Sequence, residues 1–128
     1  MATKVLVVED DPAARRLVSF ALEQEGYDVL TASNGLEGLT KAQTERPEIL
    51  VLDVMLPGLD GFEVCRRLRA DTEMSGVLVL MLSAKAQESD KTTGLKMGAD
   101  DYLAKPADPL EVAARVKTLL QRKAASPV

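Results

Sequence analysis

The sequence predicts an α/β fold in which five parallel strands form one sheet with helices packed on both faces. Five short apolar runs alternate with segments whose apolar residues recur at helical spacing. The runs are nearly continuous in Val, Leu and Ile, which is typical of strands buried on both faces. Each connection is long enough for the crossover helix that parallel neighbours require.

The strand predictions follow from these apolar runs and from the turn residues that bound them. Residues 49–53 are the clearest case, because Ile49 to Leu52 are all apolar and a Pro-Gly turn signal follows shortly after Asp53. The five strands are predicted at residues 4–8, 28–32, 49–53, 77–82 and 99–104. Five strands joined by helical crossovers favour the flavodoxin-like order 2-1-3-4-5.

A helix is predicted after each strand. Asp11 is favoured as the N-cap of the first helix over a role in metal binding, and Pro12 suits its first turn. The segment from Gln87 to Met97 has a weak apolar stripe, so we expect a marginal helix there. The residues predicted to face the core in the first, third, fourth and fifth helices are Ala14, Leu17, Val18, Ala21 and Leu22; Phe62, Cys65 and Leu68; Leu95 and Met97; and Val112, Ala113, Val116, Leu119 and Leu120. The second helix is predicted from Leu36 to about Thr44, before Pro47.

Length and composition restrict the classes of protein that this chain can represent. At 128 residues with 46% apolar and 28% charged residues, one soluble globular domain is expected. No apolar run approaches the roughly 20 residues of a membrane span, the N-terminus lacks a signal-peptide pattern, and the lone Cys65 excludes an internal disulfide. We therefore expect a cytoplasmic protein. A net charge of −4 provides no basic surface, so we expect no nucleic-acid contact by this domain.

The sequence contains no histidine, which excludes Ser-His, Cys-His and His-metal chemistry together. In the predicted strand order the first and third strands are neighbours, so Glu9 and Asp10 should lie beside Asp53. Three carboxylates about 4–5 Å apart would repel by roughly 3–4 kcal/mol per pair at an effective dielectric near 20, which either protonation of one acid or a bound cation would relieve. Hard oxygen ligands favour Mg2+ or Mn2+, and the Met55 carbonyl is a further candidate ligand.

The fourth and fifth strands bring Ser83 and Lys105 to the same edge of the sheet. A hydroxyl, an ammonium and a divalent cation around one carboxylate suit phosphoryl transfer, because each can stabilise one phosphoryl oxygen. Asp53 is the predicted nucleophile, which would form an aspartyl phosphate. Pro106 after Lys105 lowers the cost of a cis peptide bond, which we expect here because it would direct the ammonium into the site.

These motifs resemble the receiver domain of two-component response regulators. The resemblance is carried, in order, by Glu9-Asp10-Asp11, Asp53 with Met55-Leu56-Pro57 and Asp60-Gly61, Ser83-Ala84, and Gly98-Ala99-Asp100-Asp101-Tyr102 with Lys105-Pro106. It covers essentially residues 4–122, so we expect a receiver domain over 1–122 and a tail or linker stub over 123–128.

The resemblance implies a signalling switch that catalyses only its own phosphorylation and dephosphorylation. It implies that Asp53 accepts phosphate from the phosphohistidine of a sensor kinase or phosphotransfer protein, on another polypeptide. Asp10, Asp53 and the Met55 carbonyl would ligate the metal directly, and Glu9 largely through water. Ser83 and Tyr102 match the hydroxyl and aromatic switch pair, with Tyr102 rotating inward on phosphorylation, and Lys105 matches the family's lysine.

The last third is similar to the subgroup that dimerises through helix 4, strand 5 and helix 5. We therefore expect a phosphorylation-dependent homodimer. The charged residues that fall where the subgroup pairs charges are Lys91, Asp100, Asp101, Glu111, Arg115, Lys117 and Arg122. Two features depart from the pattern: Ala107 replaces the usual aromatic residue after Lys-Pro, and we expect no output domain within these 128 residues, so the subgroup's DNA-binding role is not expected of them.

Two rival functions remain open at this point. A Mg2+-dependent phosphohydrolase would also form an aspartyl phosphate, although it needs a second acid two residues after the nucleophile, where this chain has Met55. The second rival function is that of an interaction module that works without phosphorylation. The complete set of Asp53, Ser83 and Lys105 argues against this function.

Overall fold

The computed structural model describes residues 2–83 and 88–125. Strands and helices alternate along the described residues, as predicted. The elements are β1 (Lys4–Val8), α1 (Pro12–Gln24), β2 (Asp28–Ala32), α2 (Gly35–Glu45), β3 (Ile49–Asp53), α3 (Gly61–Ala70), β4 (Leu78–Ser83), α4 (Glu88–Lys96), β5 (Asp101–Ala104) and α5 (Pro109–Ala125).

The five strands form one parallel sheet in the order β2-β1-β3-β4-β5, which confirms the predicted topology. All five residues of β3 are buried. Because β3 is the central strand, helices on both faces exclude water from it, which explains its continuous apolar run. The carboxyl ends of all five strands meet at one edge of the sheet.

The helices divide the core between the two faces of the sheet. One cluster joins α1 and α5 to the sheet through residues such as Val18, Leu22 and Val116. The other joins α2, α3 and the α4–β5 corner to the opposite face through residues such as Leu39, Val64 and Leu68. Within the described part of the chain, no helix is long and apolar enough to cross a membrane.

Four element boundaries differ from the sequence predictions. Asn34 caps α2, which begins at Gly35, one residue earlier than predicted. Strand β4 lies one residue later than predicted. Strand β5 begins two residues later, at Asp101, because the Ala99 amide donates to the Gly94 carbonyl in the turn that follows α4. Helix α5 continues to Ala125, beyond the predicted domain end at residue 122, and that domain boundary stays a prediction.

Two residues predicted to face the core are substantially exposed instead. Leu17 is 59% exposed, because α1 buries a narrower stripe of Val18, Ala21 and Leu22. Leu95 is 44% exposed, because Gly94 is the residue of α4 that lies against the sheet. The predicted helix start at Gln87, and residues 126–128 of the predicted tail, lie outside the described residues.

Candidate functional site

Buried polar side chains are concentrated at the carboxyl edge of the sheet. Within the described ranges, Glu9, Asp53 and Ser83 are the buried polar or charged residues, each at most 4% exposed. Val8 pairs with Leu52 in the parallel register, so Glu9 and Asp53 leave adjoining strands at the same level. Ser83 ends β4, the other neighbour of β3. The prediction that these residues converge is confirmed.

The carboxylates of Glu9, Asp10 and Asp53 form one cluster. An oxygen from each lies within 4.8 Å of the others, close to the spacing expected from the strand order. Glu9 and Asp53 are buried, whereas Asp10 is exposed, so the cluster opens to solvent on one side. Three hard oxygen donors with an open side fit Mg2+ or Mn2+, which keep several water ligands.

Lys105 bridges the two buried acids. Its Nζ lies 2.6 Å from Oε1 of Glu9 and 2.9 Å from Oδ2 of Asp53, as expected for a lysine directed into the site. The peptide bond between Lys105 and Pro106 is cis, as predicted. Burial alone would lower the pKa of Lys105, but its hydrogen bonds with Glu9 and Asp53 outweigh that effect and raise the pKa above its usual value. The side chain is therefore a cation at neutral pH.

The second oxygen of each buried acid is held by the backbone. Oδ1 of Asp53 accepts the Met55 amide at 3.2 Å, and Oε2 of Glu9 accepts the Asp11 amide at 3.3 Å. The side chain of Asp11 turns away to accept the Ala14 amide at 3.2 Å, which confirms its role as the N-cap of α1. The Met55 side chain is 69% exposed, and the role of its carbonyl as a metal ligand stays a prediction.

Tyr102 and α4 lie beside the acidic cluster on the other side of Ser83. Strands β4 and β5 pair Ser83 with Ala104, and the Lys105 amide donates to the Ser83 carbonyl at 2.5 Å. Tyr102 is only 7% exposed, and its ring lies against Gly94 of α4. The inward position of Tyr102, which we expected after phosphorylation, is therefore the one that this structure has.

The model of the response regulator receiver domain family matches residues 5–117 of this chain. The chain belongs to the response regulator receiver family. The match includes residues of all five strands and the whole acidic site. The receiver domain is thus a component of two-component signalling, and its expected flavodoxin-like fold is confirmed.

Curated relatives and solved structures agree with this family. The chain is 54% identical over 122 residues to the alkaline phosphatase synthesis transcriptional regulatory protein PhoP of Bacillus subtilis, covering 95% of this chain and 50% of that protein. It is 49% identical to the DNA-binding dual master transcriptional regulator RpaA of Synechocystis, covering 93% of this chain and 49% of that protein. The chain thus spans about half the length of the curated relatives it matches.

Among solved structures, a putative response regulator from Chloroflexus aurantiacus superposes with a TM-score of 0.90 at 38% identity, covering 95% of this chain and 100% of that one. The OmpR/PhoB homologue DrrB of Thermotoga maritima gives 0.87 at 36% identity, covering 96% of this chain and 54% of that one.

Most of the charges expected on a dimer surface are paired within this receiver domain. Arg115 lies 2.9 Å from Asp101 and 3.8 Å from Glu111. Asp100 accepts the Val79 amide at 2.8 Å and the Arg69 guanidinium at 2.9 Å, so its carboxylate is occupied inside the chain. Lys91, Lys117 and Arg122 are exposed. Dimerisation through this surface stays a prediction.

Two arginines that sequence reasoning missed hold loops of the receiver domain. Arg15 donates to the Glu9 carbonyl at 2.8 Å, in the loop that carries two acids of the cluster. Arg69 donates to the carbonyls of Gly98, Ser75 and Val77 and pairs with Asp100. Contacts from a side chain to backbone carbonyls leave no residue-type pattern in a sequence, whether the carbonyl is six residues away, as for Arg15, or 29, as for Arg69, which is why neither residue was identified.

Proposed function

We propose that Asp53 accepts a phosphoryl group from the phosphohistidine of a sensor kinase or phosphotransfer protein. In this step the nitrogen–phosphorus bond of the donor breaks as an oxygen of Asp53 bonds to phosphorus. The observation that carries the proposal is the arrangement around Asp53: two further carboxylates within 4.8 Å and an ammonium 2.9 Å from Oδ2. Because this chain has no histidine, the donor residue is not among these 128 residues.

Glu9, Asp10, Asp53 and the Met55 carbonyl would hold Mg2+, with Glu9 acting largely through water. The ion would supply positive charge to the phosphoryl oxygens. Lys105 contributes a second positive charge beside Asp53, and it stabilises the negative charge that arrives with the phosphoryl group. The Ser83 hydroxyl, at the adjoining strand end, would donate to a third phosphoryl oxygen.

The phosphorylated site would then change the surface formed by α4, β5 and α5. A phosphoryl group that draws the Ser83 hydroxyl toward Asp53 would further stabilise the buried position that Tyr102 already has in this structure, and the accompanying shift at the end of β4 would repack α4. A complete shift of a two-state equilibrium needs about 5.5 kcal/mol, which a few charged hydrogen bonds of roughly 1.5–3 kcal/mol each can supply. The expected readout is homodimerisation through the α4–β5–α5 surface.

This proposal describes a signalling switch whose only catalysis is its own phosphorylation and dephosphorylation. It places the switch in the cytoplasm, with residues 1–122 as the receiver domain and 123–128 as a tail or linker stub. The charged residues proposed for the dimer surface include Lys91, Lys117 and Arg122. The domain itself would contact no nucleic acid.

The direct test is mass spectrometry of the intact chain after incubation with acetyl phosphate, with Mg2+ and with EDTA. We expect one added phosphoryl group in Mg2+, and little or none in EDTA or in Asp53→Asn. Asp11→Asn is the matched control, because it removes a neighbouring acid and keeps an N-cap residue; it should still be labelled. Equal labelling of Asp53→Asn and the wild-type chain would contradict the assignment.

The same samples separate the rival functions. Release of phosphate over many turnovers from small phosphoesters would favour a phosphohydrolase. Absence of labelling in the folded wild-type chain, with Mg2+ present, would favour a phosphate-independent interaction module.

A further inference from the structure

The loop between β1 and α1 carries two of the three acids of the cluster. Its first residue, Glu9, has a partner for each of its polar groups: its amide donates to the Ala32 carbonyl at 3.0 Å, and its carboxylate is held by Asp11 and Lys105. The remaining group, the Glu9 carbonyl, accepts a hydrogen bond from Nη1 of Arg15 at 2.8 Å.

Asp10 is placed differently from Glu9. It is exposed, and a carboxylate oxygen of Asp10 lies within 4.8 Å of those of Glu9 and Asp53. The same Nη1 of Arg15 lies 3.4 Å from the Asp10 carbonyl, which connects the backbone of Asp10 to α1. One guanidinium nitrogen therefore contacts the backbone carbonyls of both acids, whereas their carboxylates belong to the cluster with Asp53.

Arg15 is itself well fixed. Its backbone amide donates to the Asp11 carbonyl at 2.9 Å, the first hydrogen bond of α1, so its side chain extends back from the first helical turn. Because α1 packs on the sheet through Val18 and Leu22, the guanidinium has a rigid base. A rigidly based donor that holds two successive carbonyls limits how far the acidic loop can turn.

We infer that Arg15 is a positioning residue for the metal site: it orients the Glu9-Asp10 backbone so that both carboxylates face Asp53. The inference rests on the proposed function, since it concerns the same Mg2+ site. Arg15 would not touch the ion or the phosphoryl group; it acts through the backbone of the acids that do.

A positioning role and a purely electrostatic role of Arg15 predict opposite changes in Mg2+ affinity when Arg15 is replaced. Arg15 is a cation close to a site that binds a cation. If its charge alone mattered, removing it would tighten Mg2+ binding, because one source of repulsion would be lost. If its hydrogen bonds matter more, removing it releases the loop and weakens Mg2+ binding.

The experiment measures Mg2+ affinity by titration calorimetry on the whole chain for the wild type, Arg15→Met, Arg15→Lys and Arg16→Met. Arg15→Met keeps an unbranched side chain and removes both charge and donors, and we expect its Kd to rise about tenfold, the factor of one charge-assisted hydrogen bond. Arg15→Lys keeps the charge and one donor group, and we expect a rise of about threefold.

Arg16→Met is the matched control, because Arg16 is the exposed neighbour on the same helix and its loss changes the net charge equally. Its Kd should stay within about twofold of the wild type, on the side of tighter binding. At saturating Mg2+, phosphorylation of Arg15→Met by acetyl phosphate should return to within about twofold of the wild-type rate.

An Arg15→Met chain that binds Mg2+ as tightly as the wild type, or more tightly, overturns the inference. So does a phosphorylation rate that stays low at saturating Mg2+, because that result would assign Arg15 to the transfer step. Arg15→Lys carries the same test if Arg15→Met does not fold. Failure of the proposed function is distinguishable, since then the wild type itself would neither bind Mg2+ nor accept phosphate.

Discussion

The acidic site and α4 differ in how strongly the rest of the chain determines them. Strands β1 and β3, which present the acids, are almost fully buried, and Glu9 and Asp53 each have both carboxylate oxygens bonded. In α4, only Gly94 is buried among residues 91–96. A segment with little buried apolar surface opens and shifts at lower free-energy cost. The proposed phosphoryl transfer thus takes place on rigid elements, and the proposed response lies on a weakly held one.

The largest loss of stability should come from a substitution beside β3, in the rigid region that carries the acidic site. A Cβ added at Gly61 would lie 2.3 Å from the Asp53 carbonyl oxygen and 2.9 Å from Cα of Val54, so the start of α3 must move away from β3. We expect Gly61→Ala to lower the free energy of unfolding by about 3 kcal/mol, as for a severe overpacking change. Gly76→Ala is the control, since a Cβ there meets nothing within 4 Å. If urea denaturation gives Gly61→Ala and Gly76→Ala the same stability, the region around β3 is less rigid than its contacts imply.

Removal of the bridging cation should have the next largest effect. Lys105→Met leaves the buried carboxylates of Glu9 and Asp53 facing each other without a cation. Because Lys105 is 25% exposed, we expect a loss of about 2 kcal/mol, less than for a fully buried pair, and partial recovery in Mg2+. Arg46→Met, which removes a more exposed ion pair to Glu73, should cost less than about 1 kcal/mol. Thermal unfolding with and without Mg2+ measures both effects. If Mg2+ does not change the stability of Lys105→Met, the ion does not bind beside the carboxylates that Lys105 bridges.

Arg69 tests the connection between the two regions. Its guanidinium joins the end of α3 to the α4–β5 corner through the Gly98 carbonyl and Asp100, and the side-chain pair is largely shielded from solvent. We expect Arg69→Ala to cost about 1.5 kcal/mol, and the exposed Arg67→Ala on the same helix less than about 0.5 kcal/mol. If chemical denaturation gives both variants the same stability, Arg69 does not hold this corner.

The smallest effect is expected within α4. A Cβ at Gly94 would lie 2.9 Å from the Met81 sulfur and 3.4 Å from the Tyr102 ring, and the flexible thioether can move aside. The helix gains about 1 kcal/mol when Ala replaces Gly, so the net change in Gly94→Ala should stay within about 1 kcal/mol of zero. A loss as large as that of Gly61→Ala, in the same denaturation assay, would remove the contrast between the two regions.

Sequence patterns predicted the rigid region better than the weakly held one. Continuous apolar runs identify β1 and β3 because a central parallel strand is buried on both faces, and the strand order then places Glu9 beside Asp53. The same reasoning brought Lys105 and Ser83 to the site. The N-cap role of Asp11 also followed from local pattern, since capping depends on neighbours in the chain.

The features that could not be predicted depend on contacts that form only when the chain is folded. The exposure of Leu17 and Leu95 reflects where α1 and α4 lie on the sheet, and a weak apolar stripe does not fix the rotation of a helix. The roles of Arg15 and Arg69 depend on carbonyls that only the folded backbone brings within reach. The buried position of Tyr102 depends on the small size of Gly94 above its ring.

Hydrogen exchange measured by mass spectrometry, before and after phosphorylation by acetyl phosphate in Mg2+, tests the central claim most directly. We predict that amides of α4 (Glu88–Lys96) change their exchange rates by at least about threefold, while those of β1 and β3 keep theirs. Asp53→Asn, treated in the same way, should show no change. Phosphorylation of Asp53 that leaves α4 unaltered, or that alters β3 as much as α4, would contradict the account.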